Sequence, residues 1–423
     1  MSKSREVKIL VVGSGGREHA LAWRLSKEAE VIVAPGNPGI GEDCETVAVS
    51  AKDQDGLVDL CRSRHIDLVV VGPEDPLIEG LGNRLRAEGF AVYGPDQAGA
   101  ELEGSKAFSK QLMVEAGVPT AAFQAFSDPV AATDYARVKY DTGRSVVVKA
   151  SGNALGKGVV VADNFEAAKD AIHRMMVDRE FGSAGETIVI EDRLVGPEFS
   201  LLTIVGDENY VSLPVAQDHK RAFDGDLGPN TGGMGAFSPV ASISDSLIRQ
   251  VESEMVEPTI RALKARGISY RGTLFTGVLV DGGKPYCLEF NVRMGDPETQ
   301  ALMMRIESGY AQALFASATG TVVPEITVSP LAALTVVVAG KDYPLQSSKG
   351  IPIQVDQVPI GSKLFHAGTA LVDGNLVTNG GRVFAASAIG KTLEEAKALA
   401  YAAAASVHFS GARVRSDIGE KSA

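Results

Sequence analysis

The sequence predicts an α/β protein with an N-terminal doubly wound parallel-sheet domain, a central domain and a C-terminal α+β domain. In the first hundred residues, short apolar strands alternate with helical stretches, which is the pattern of a parallel sheet covered by helices. A chain of 423 residues is too long for one core. Near the end, strand-like runs at 331–339 and 382–387 precede an alanine-rich helix at 393–407, which is typical of an α+β domain.

We place domain boundaries where this pattern changes. The first domain closes near the Tyr-Gly-Pro turn at 93–95 and is assigned residues 1–104. The central domain is assigned residues 105–325, with a flexible flap subdomain at about 120–193. The C-terminal domain is assigned residues 326–423.

The charge balance, the cysteines and the length of apolar runs indicate which partners and which compartment to expect. The chain carries 41 basic and 53 acidic residues, net −12, which argues against a general nucleic-acid binder. Cys44, Cys61 and Cys287 form no CxxC pair, as expected in a reducing compartment. No apolar run approaches the roughly 20 residues of a membrane span, and no signal-peptide core follows the N-terminus. We therefore expect a cytoplasmic protein without nucleic-acid or membrane partners.

The first strand, at 7–12, ends in a glycine turn and a helix, where backbone N–H groups can bind an anion. A dinucleotide fingerprint is not met, because Glu18 stands at the third glycine position and no acid ends the strand at 31–35. The phosphate end of a smaller ligand remains compatible with this turn. Its candidate residues are Gly13, Gly15 and Gly16.

The strand–helix pattern repeats with strands at 46–49 and 66–71 and helices at 53–64 and 77–88. Asn37, Glu74 and Asp75 directly follow strands of this sheet. The carboxyl edge of an open parallel sheet is where ligands bind, but these residue types are also common in turns. Ligand contact and turn formation both remain open for the three residues.

The central domain begins with an amphipathic helix predicted over 102–116, which includes Lys106. Lys149 lies inside an apolar strand. Burial of its charge there is unfavourable in free energy unless an anion binds beside it. A glycine loop follows at 151–158. It is not a P-loop, because Gly158 replaces the Ser or Thr expected after Lys157. A flap over a triphosphate fits the loop better than the alternative, a plain hairpin.

Two later stretches also suggest binding. After a helix at 165–176, a strand at 187–191 leads into 192–198, whose backbone groups and carboxylates suit an adenine edge and ribose hydroxyls. Residues 217–236 lack apolar periodicity and carry mixed polar groups. Such a stretch predicts a functional lid or binding loop rather than a linker.

The domain then continues with a helix at 245–266, predicted to break at Pro258, and a hairpin at 272–290. The second hairpin strand extends to residue 294, and alternation puts Glu289, Asn291 and Arg293 on one face. Leu288, Phe290 and Val292 are expected on the other face.

A carboxylate, an amide oxygen and a guanidinium on one strand face suit a hard divalent cation with an anion beside it. A solvated strand face is the alternative. The turn just past the strand adds Asp296 and Glu298, and this density of polar groups favours an active site.

These features together predict the chemistry. Candidate phosphate-binding lysines, a glycine flap and a Glu/Asn metal pair are present, whereas no serine or cysteine has a histidine in an activating context. Phosphoryl transfer by positioning and charge neutralisation needs no protein nucleophile. We predict a Mg-ATP-dependent ligase that activates a carboxylate as an acyl phosphate.

The chain resembles the glycinamide ribonucleotide synthetases (phosphoribosylamine–glycine ligases) of the ATP-grasp superfamily over essentially its whole length. The most specific matching stretches are the glycine-rich loop at 224–235 and Gly-Asp-Pro-Glu-Thr-Gln at 295–300. Further matches lie at 13–20, 34–39, 72–74, 217–221, 289–293, 365–368 and 380–382.

The resemblance implies an N-terminal Rossmann-like substrate domain and a central ATP-grasp domain. It also implies ligation of glycine to 5-phosphoribosylamine through glycyl phosphate, with ATP, in de novo purine biosynthesis. The implied metal is Mg²⁺ or Mn²⁺, held by Glu289 and Asn291. We expect small-molecule partners only, and a monomer or weak homo-oligomer.

The resemblance also implies roles for other residues. Those assigned to ATP are Lys106, Lys149, Gly156, Lys157, Gly158, Glu191, Asp192, Leu194 and Glu198. Those assigned to the substrates are Gly13, Gly15, Gly16, Asn37, Glu74, Asp75, Lys220, Asn230 and Gly233. Those assigned to catalysis are Arg293, Asp218 and Asp296, with Arg293 and Asp218 recognising the carboxylate and amine of glycine.

Two stretches depart from the family pattern. The flap has Ser151, Asn153 and Leu155 where Asp, Leu and Ala are usual, and residues 343–350 lack the glycine usual after proline. We expect the first departure to affect the affinity for nucleotide and the second to affect the packing of the C-terminal domain. Two alternatives stay open: an ATP-grasp ligase for another carboxylate and amine, and a catalytically silent nucleotide-binding regulator.

Overall fold

The computed structural model describes residues 7–154 and 158–420. Its N-terminal sheet has five parallel strands in the order β3-β2-β1-β4-β5, which confirms the predicted doubly wound domain. The strands are β1 (Lys8–Gly13), β2 (Glu30–Pro35), β3 (Glu45–Thr46), β4 (Leu68–Val71) and β5 (Ala91–Tyr93). The helices are α1 (Gly16–Leu25), α2 (Ile40–Asp43), α3 (Gln54–Arg64), α4 (Glu74–Ile78), α5 (Leu81–Ala87), α6 (Gln97–Gly104) and, leading into the next domain, α7 (Lys106–Ala116).

Two helices predicted as single elements are each split in two. The helix expected over 77–88 is α4 and α5, separated at Gly80, whose φ of 86° is left-handed. The helix expected over 102–116 is α6 and α7, because Ser105 leaves the helical conformation and its Oγ accepts the Phe108 N–H at 3.2 Å. Both predictions were wrong because apolar periodicity continues across the breaks.

The flap subdomain has its own four-stranded antiparallel sheet, ordered β6-β9-β7-β8. Its elements are β6 (Phe123–Phe126), α8 (Pro129–Asp141), β7 (Val146–Ala150), β8 (Val159–Val161), α9 (Phe165–Ile172) and β9 (Ile188–Asp192). Its buried apolar cluster draws only on residues between 126 and 190, including Val148, Ile172 and Ile190. Among the described residues, this core is separate from those of the neighbouring domains, and the flexibility of the flap stays a prediction.

The rest of the central domain is built on a four-stranded sheet ordered β11-β10-β16-β17. Its elements are β10 (Glu198–Gly206), β11 (Asn209–Ser212), β12 (Gln217–Asp218), β13 (Arg221–Phe223), β14 (Leu227–Asn230), β15 (Gly235–Ser238), α10 (Asp245–Val251), α11 (Glu257–Ala265), β16 (Arg271–Asp281), β17 (Lys284–Asn291), α12 (Glu298–Arg305), β18 (Ile306–Ser308), α13 (Tyr310–Thr319) and β19 (Thr327–Val328).

The helix break predicted at Pro258 is absent. A π-helical turn, Glu252–Val256, joins α10 to α11, and Pro258 lies in the first turn of α11. Because α10, the π turn and α11 are continuous, Pro258 removes one backbone donor from the interior of a helix. The local irregularity is therefore the π turn that precedes the proline.

The C-terminal α+β domain shares a sheet with the central domain. Its elements are β20 (Ala332–Ala339), β21 (Ser348–Pro352), β22 (Gln354–Val355), β23 (Ser362–His366), β24 (Thr369–Val372), β25 (Asn375–Gly380), β26 (Arg382–Gly390), α14 (Leu393–Ala405) and β27 (Val407–His408). The five-stranded order β12-β15-β20-β26-β23 includes two strands from the predicted central domain. The α+β class is confirmed, but the tail is not a separate module, and the exact domain boundaries stay predictions.

The strand with the predicted metal pair is interrupted by a bulge. Gly277 pairs with Glu289 while Val278 pairs with Cys287, which leaves Leu288 as the extra residue. Leu288 therefore lines the same cleft as Glu289, and its predicted placement on the opposite face was wrong. Phe290 and Val292 are buried, as expected. The strand ends at Asn291, so Arg293 lies just beyond it.

No helix within residues 7–154 and 158–420 has the length and apolar character needed to cross a membrane.

Candidate active site

A cleft of about 1440 Å³ lies where the three domains meet. It is lined by the turn before α1, the inner strands of the flap, the end of β17 and the turns around β24 and β26. Of the predicted site residues, those that line it are Gly15, Gly16, Asn37, Glu74, Lys106, Lys149, Gly158, Glu191, Asp192, Leu194, Glu198, Asp218, Lys220, Asn230, Glu289, Asn291, Arg293 and Asp296.

Other predicted residues are placed differently. Gly13, Asp75 and Gly233 do not line the cleft. The Asp75 carboxylate instead accepts a hydrogen bond from Asn153 of the flap at 2.7 Å. Gly156 and Lys157 lie outside the residues that the structure describes.

Carboxylates are concentrated at one end of the cleft. Burial and the charges of Glu298, Glu198 and Glu289 together raise the pKa of Asp218 to about 7, although the charge of Lys220 opposes this rise. This part of the cleft therefore has negative charge that its own lysine does not fully compensate, so it favours a cationic ligand.

Glu289 behaves differently from Asp218. Burial opposes its ionisation, but the charges of Lys220, Lys149 and Lys106 outweigh burial and lower the pKa of Glu289. Its carboxylate is therefore charged at neutral pH and available as a ligand oxygen.

The donor set fits a magnesium ion. Glu289 and Asn291 offer a carboxylate and an amide oxygen at the cleft wall. Within 7–154 and 158–420, no three His, Cys, Asp or Glu side chains are grouped as metal ligands. Mg²⁺ usually takes one or two carboxylates and completes its shell with water and substrate phosphates. Two protein ligands beside a phosphate site suit that mode.

Three lysines approach the flap side of the cleft. Lys106 begins α7, Lys149 lies on β7, and Lys110 lies one helical turn beyond Lys106. Burial lowers the pKa of both Lys106 and Lys110. Sequence reasoning missed Lys110, although its i,i+4 spacing from Lys106 places both on one helix face.

The carboxylate of Glu191 is already paired. It lies 2.9 Å from the Lys149 Nζ and 3.1 Å from the Lys110 Nζ, and the residue is only 2% exposed. One carboxylate between two lysines leaves net positive charge, which suits a polyphosphate. Contact of the Glu191 side chain with adenine or ribose stays a prediction.

The carboxylate of Glu18, a residue of α1, reaches back to the turn before this helix. Glu18 accepts the Gly15 N–H at 2.7 Å, and a Cβ at Gly72 would lie 2.2 Å from Glu18 Oε1. The residue that departs from the dinucleotide fingerprint therefore fills part of the space in front of the helix. Asn37 is also engaged, because its amide donates to the carbonyls of Ser14 and His366 at 2.8 Å each.

Arg293 lies in a row of alternating charges. Its Nε donates to Glu74 at 3.4 Å, and its Nη2 lies 2.9 Å from Glu103. Burial opposes the ionisation of Glu74, but Arg293 and Arg17 outweigh it and lower the pKa of Glu74 to about 2. Sequence reasoning did not single out Glu103, because its partner lies 190 residues away.

The C-terminal domain contributes Arg382 to the cleft. Its Nη1 donates to the carbonyls of Gly232 and Asp296 at 2.8 Å each, and its Nη2 donates to the Asp296 carboxylate at 3.1 Å. The second carboxylate oxygen of Asp296 accepts from Gln300 at 2.7 Å. Asp296 is thus held between two domains, and a direct catalytic role for it stays a prediction.

Comparison with known proteins identifies the family. Three profiles described as the N, ATP-grasp (A) and C domains of phosphoribosylglycinamide synthetase match residues 7–103, 104–299 and 333–421. The chain belongs to the phosphoribosylglycinamide synthetase family. The family and fold class predicted from the sequence are thereby confirmed.

Members of the family align over nearly the whole chain. The phosphoribosylamine–glycine ligase of Rhizobium meliloti (strain 1021) is 43% identical over 418 residues, covering 98% of each chain. That of Vibrio cholerae is 42% identical over 422 residues, again covering 98% of each chain. The solved phosphoribosylamine–glycine ligase of Thermotoga maritima is 34% identical with a TM-score of 0.85, covering 98% of this chain and 100% of that one.

The fold extends beyond the family. The biotin carboxylase domain of Hydrogenobacter thermophilus 2-oxoglutarate carboxylase, solved with MgADP and bicarbonate, has a TM-score of 0.71 at 18% identity. It covers 97% of this chain and 92% of that one. At this identity the likeness shows the shared fold alone.

Proposed function

We propose that this chain joins glycine to 5-phosphoribosylamine in two steps at the cleft between its three domains. The overall reaction, an ATP-dependent and ADP-forming ligation in purine biosynthesis, is that of the family to which the chain belongs. In the first step, a glycine carboxylate oxygen attacks the γ-phosphorus of ATP, and the bond to ADP breaks. In the second, the amine of phosphoribosylamine attacks the carbonyl carbon of glycyl phosphate, loses a proton and displaces phosphate.

The observation that carries the proposal is the close association of buried lysines with the Glu289 carboxylate. Lys106, Lys149 and Glu289 line the same cleft, and the Lys149 Nζ donates to the carbonyl of Leu288, next to Glu289, at 3.4 Å. The charges of Lys220, Lys149 and Lys106 outweigh burial and lower the pKa of the Glu289 carboxyl. We assign these lysines and the backbone of Gly158 to the ATP phosphates. Mg²⁺ bound by Glu289 and Asn291 would neutralise charge on the phosphates during transfer. Oxygen ligands also suit Mn²⁺.

Glycine is assigned to the carboxylate-rich end of the cleft. The ammonium group of glycine can donate to Asp218, and its positive charge would lower the raised pKa of that carboxyl. Arg293 would bind the glycine carboxylate and would then stabilise the charge on the phosphoryl group during its transfer. Neither step needs a nucleophile from the protein.

Phosphoribosylamine is assigned to the side of the cleft formed by the N-terminal domain. Gly15, Gly16, Asn37 and Glu74 line this side, with Lys220 and Asn230 opposite. Because acyl phosphates hydrolyse in water, the cleft must exclude solvent before the amine attacks. The flap subdomain, with a core of its own, is the element that we assign to closure.

We also propose action in the cytoplasm without nucleic acid, which the acidic charge balance supports. We further propose that the chain works as a monomer or weak homo-oligomer, which sedimentation of the purified protein tests. A mass independent of concentration over the assay range would support a monomer, and a tight oligomer would contradict the proposal.

The reaction is tested by ADP release with glycine and freshly generated phosphoribosylamine. Release with another amino acid but not with glycine would support a different ATP-grasp ligase. ATP binding without turnover would support a silent regulator.

The metal site is tested by Glu289→Ala. We expect turnover to fall about a hundredfold or more, because a two-ligand site loses its only charged ligand, while the fold is kept. The control is Lys284→Ala, an exposed position on the same strand. Near-normal turnover of Glu289→Ala at subsaturating Mg²⁺ would contradict the assigned role.

A further inference from the structure

Glu103, the residue before the last of α6, holds the segment that follows β17. One oxygen of its carboxylate lies 2.9 Å from Arg293 Nη2, and the other accepts the backbone N–H of Val292 at 2.7 Å. Only 9% of its side chain is exposed. A single buried carboxylate thus fixes both the backbone before Arg293 and the guanidinium itself.

This contact belongs to a row of charges that crosses from one domain to the next. Arg17 and Glu74 of the N-terminal domain lie 3.8 Å apart, and Glu74 accepts from Arg293 Nε at 3.4 Å. Arg17 also donates to the carbonyl of Met294 at 3.2 Å. The guanidinium of Arg293 is therefore held from two sides, by Glu74 and by Glu103.

Burial of a charged carboxylate at position 103 is unfavourable in free energy. Burial and the charge of Glu74 together raise the pKa of Glu103 to about 7, although the charge of Arg293 opposes this rise. A buried ion pair contributes little net stability compared with a well-packed apolar pair. Stability alone therefore gives no reason for Glu103, whereas the orientation of Arg293 does.

Part of the Arg293 guanidinium remains available to a ligand. An arginine has five N–H groups. In Arg293, Nε donates to Glu74 and Nη1 donates to the carbonyl of Met294 at 3.4 Å, while the side chain lines the cleft. A rotation of the guanidinium would change the direction in which its remaining N–H groups can donate.

We propose that Glu103 is a positioning residue of the active site, which fixes the guanidinium of Arg293 in the orientation that meets the carboxylate of glycine. This inference rests on the proposed role of Arg293. It adds to that role a residue from the connection between the first two domains. Glu103 itself does not touch the reacting atoms.

The test compares Glu103→Gln, Arg293→Lys and the double variant, with kcat and KM measured for glycine and for ATP. Loss of a charged hydrogen-bond partner in Glu103→Gln is expected to lower kcat/KM for glycine about 10- to 100-fold, with KM for ATP within about twofold of wild type. In the Arg293→Lys background, the same substitution is expected to cost less than about threefold, because the two residues act together.

The matched control is Glu101→Gln on the same helix. Within the described residues, the Glu101 side chain has no hydrogen bond or ion pair, and its variant is expected to have wild-type kinetics. Rates are normalised to the concentration of ATP-binding sites, so that partial unfolding of a variant does not imitate a kinetic effect.

The outcomes separate the two proposals. If Arg293→Lys leaves glycine kinetics unchanged, the assigned role of Arg293 fails, and the inference about Glu103 fails with it. If Arg293→Lys is impaired but Glu103→Gln matches wild type, only the inference about Glu103 is overturned. Equal costs of Glu103→Gln in both backgrounds would also overturn it, since a purely structural role predicts additivity.

Discussion

At the residue scale, charge compensation decides which side chains of the cleft are free for a ligand. Glu191 is paired with two lysines, whereas Asp218 faces three other carboxylates and one lysine. Both are acidic residues in polar stretches, and the resemblance to the family implied a ligand role for each. The structure separates them, because only Asp218 retains charge that a cationic group can compensate.

Histidine burial at the contact between the N- and C-terminal domains predicts a dependence of stability on pH. His366 stacks edge-on against Phe384, its backbone N–H donates to the His19 Nδ1 at 2.8 Å, and the residue is 7% exposed. Burial lowers the pKa of His366 from 6.5 to about 3. The unfolded chain therefore binds a proton that the folded chain does not. The stability that neutral His366 contributes is complete above pH 6.5 and is lost as the pH falls towards 3.

We expect His366→Gln to be less sensitive to acid than wild type. Between pH 7.5 and 5.5, wild type should lose about 1 kcal/mol more of its free energy of unfolding than the variant does, as measured by urea denaturation. His408→Gln, at an exposed histidine, should retain the wild-type dependence on pH. Equal losses in wild type and His366→Gln would contradict the burial argument.

At the element scale, the two predicted covers differ. Part of the loop at 224–235, which was expected to cover the cleft, belongs to the short hairpin β13–β14. The C-terminal segment forms hydrogen bonds with this hairpin. Arg415, 1% exposed, donates to the Arg221 carbonyl and to Asp226 at 3.0 Å each, and Asp417 accepts the Gly225 N–H at 2.9 Å. Polar residues without periodicity can thus have partners distant in sequence, and the mobility of this loop stays a prediction.

Asn153 of the flap contacts the first domain. Asn153, at a position where the family pattern has leucine, donates to Asp75 across the cleft at 2.7 Å. We expect Asn153→Leu to raise KM for ATP about fivefold, because a hydrogen bond to a partly exposed carboxylate contributes about 1 kcal/mol to holding the flap in place.

The same contact can be removed from the other side. Asp75→Asn keeps the size of the side chain but removes its charge, so its KM for ATP is expected to lie between those of wild type and Asn153→Leu. Initial rates of ADP release at saturating glycine measure both variants. An unchanged KM for ATP in Asn153→Leu would show that the contact does not hold the flap.

At the scale of the whole molecule, the domains are joined by shared cores and a shared sheet. Phe237 pairs with Leu334, and a single buried cluster includes Leu10, Phe290 and Phe384. Removing one domain would therefore expose the apolar surface of another, whereas the described residues of the flap subdomain form a core of their own.

We expect a fragment of residues 1–325 to lack cooperative unfolding, because β15 loses its partner β20 and the core around Phe237 opens to water. Thermal unfolding followed by circular dichroism, with binding of a hydrophobic dye, measures this. The full chain unfolding with its normal transition is the control. A fragment that unfolds cooperatively without binding dye would show that the shared sheet is dispensable.

The sequence by itself determined the fold class and the family, and most of the site residues predicted from it line the cleft. It could do so because alternation of strands and helices, glycine turns and dense polar stretches are local properties of the chain. The pairs that give those residues their roles were decided only by the tertiary structure: Glu103 with Arg293, Asn153 with Asp75, and Arg382 with Asp296. The same holds for the sheet shared by β15 and β20. Electrostatic and hydrogen-bond energies depend on distances of a few ångströms between atoms, and the order of residues along a chain does not contain those distances.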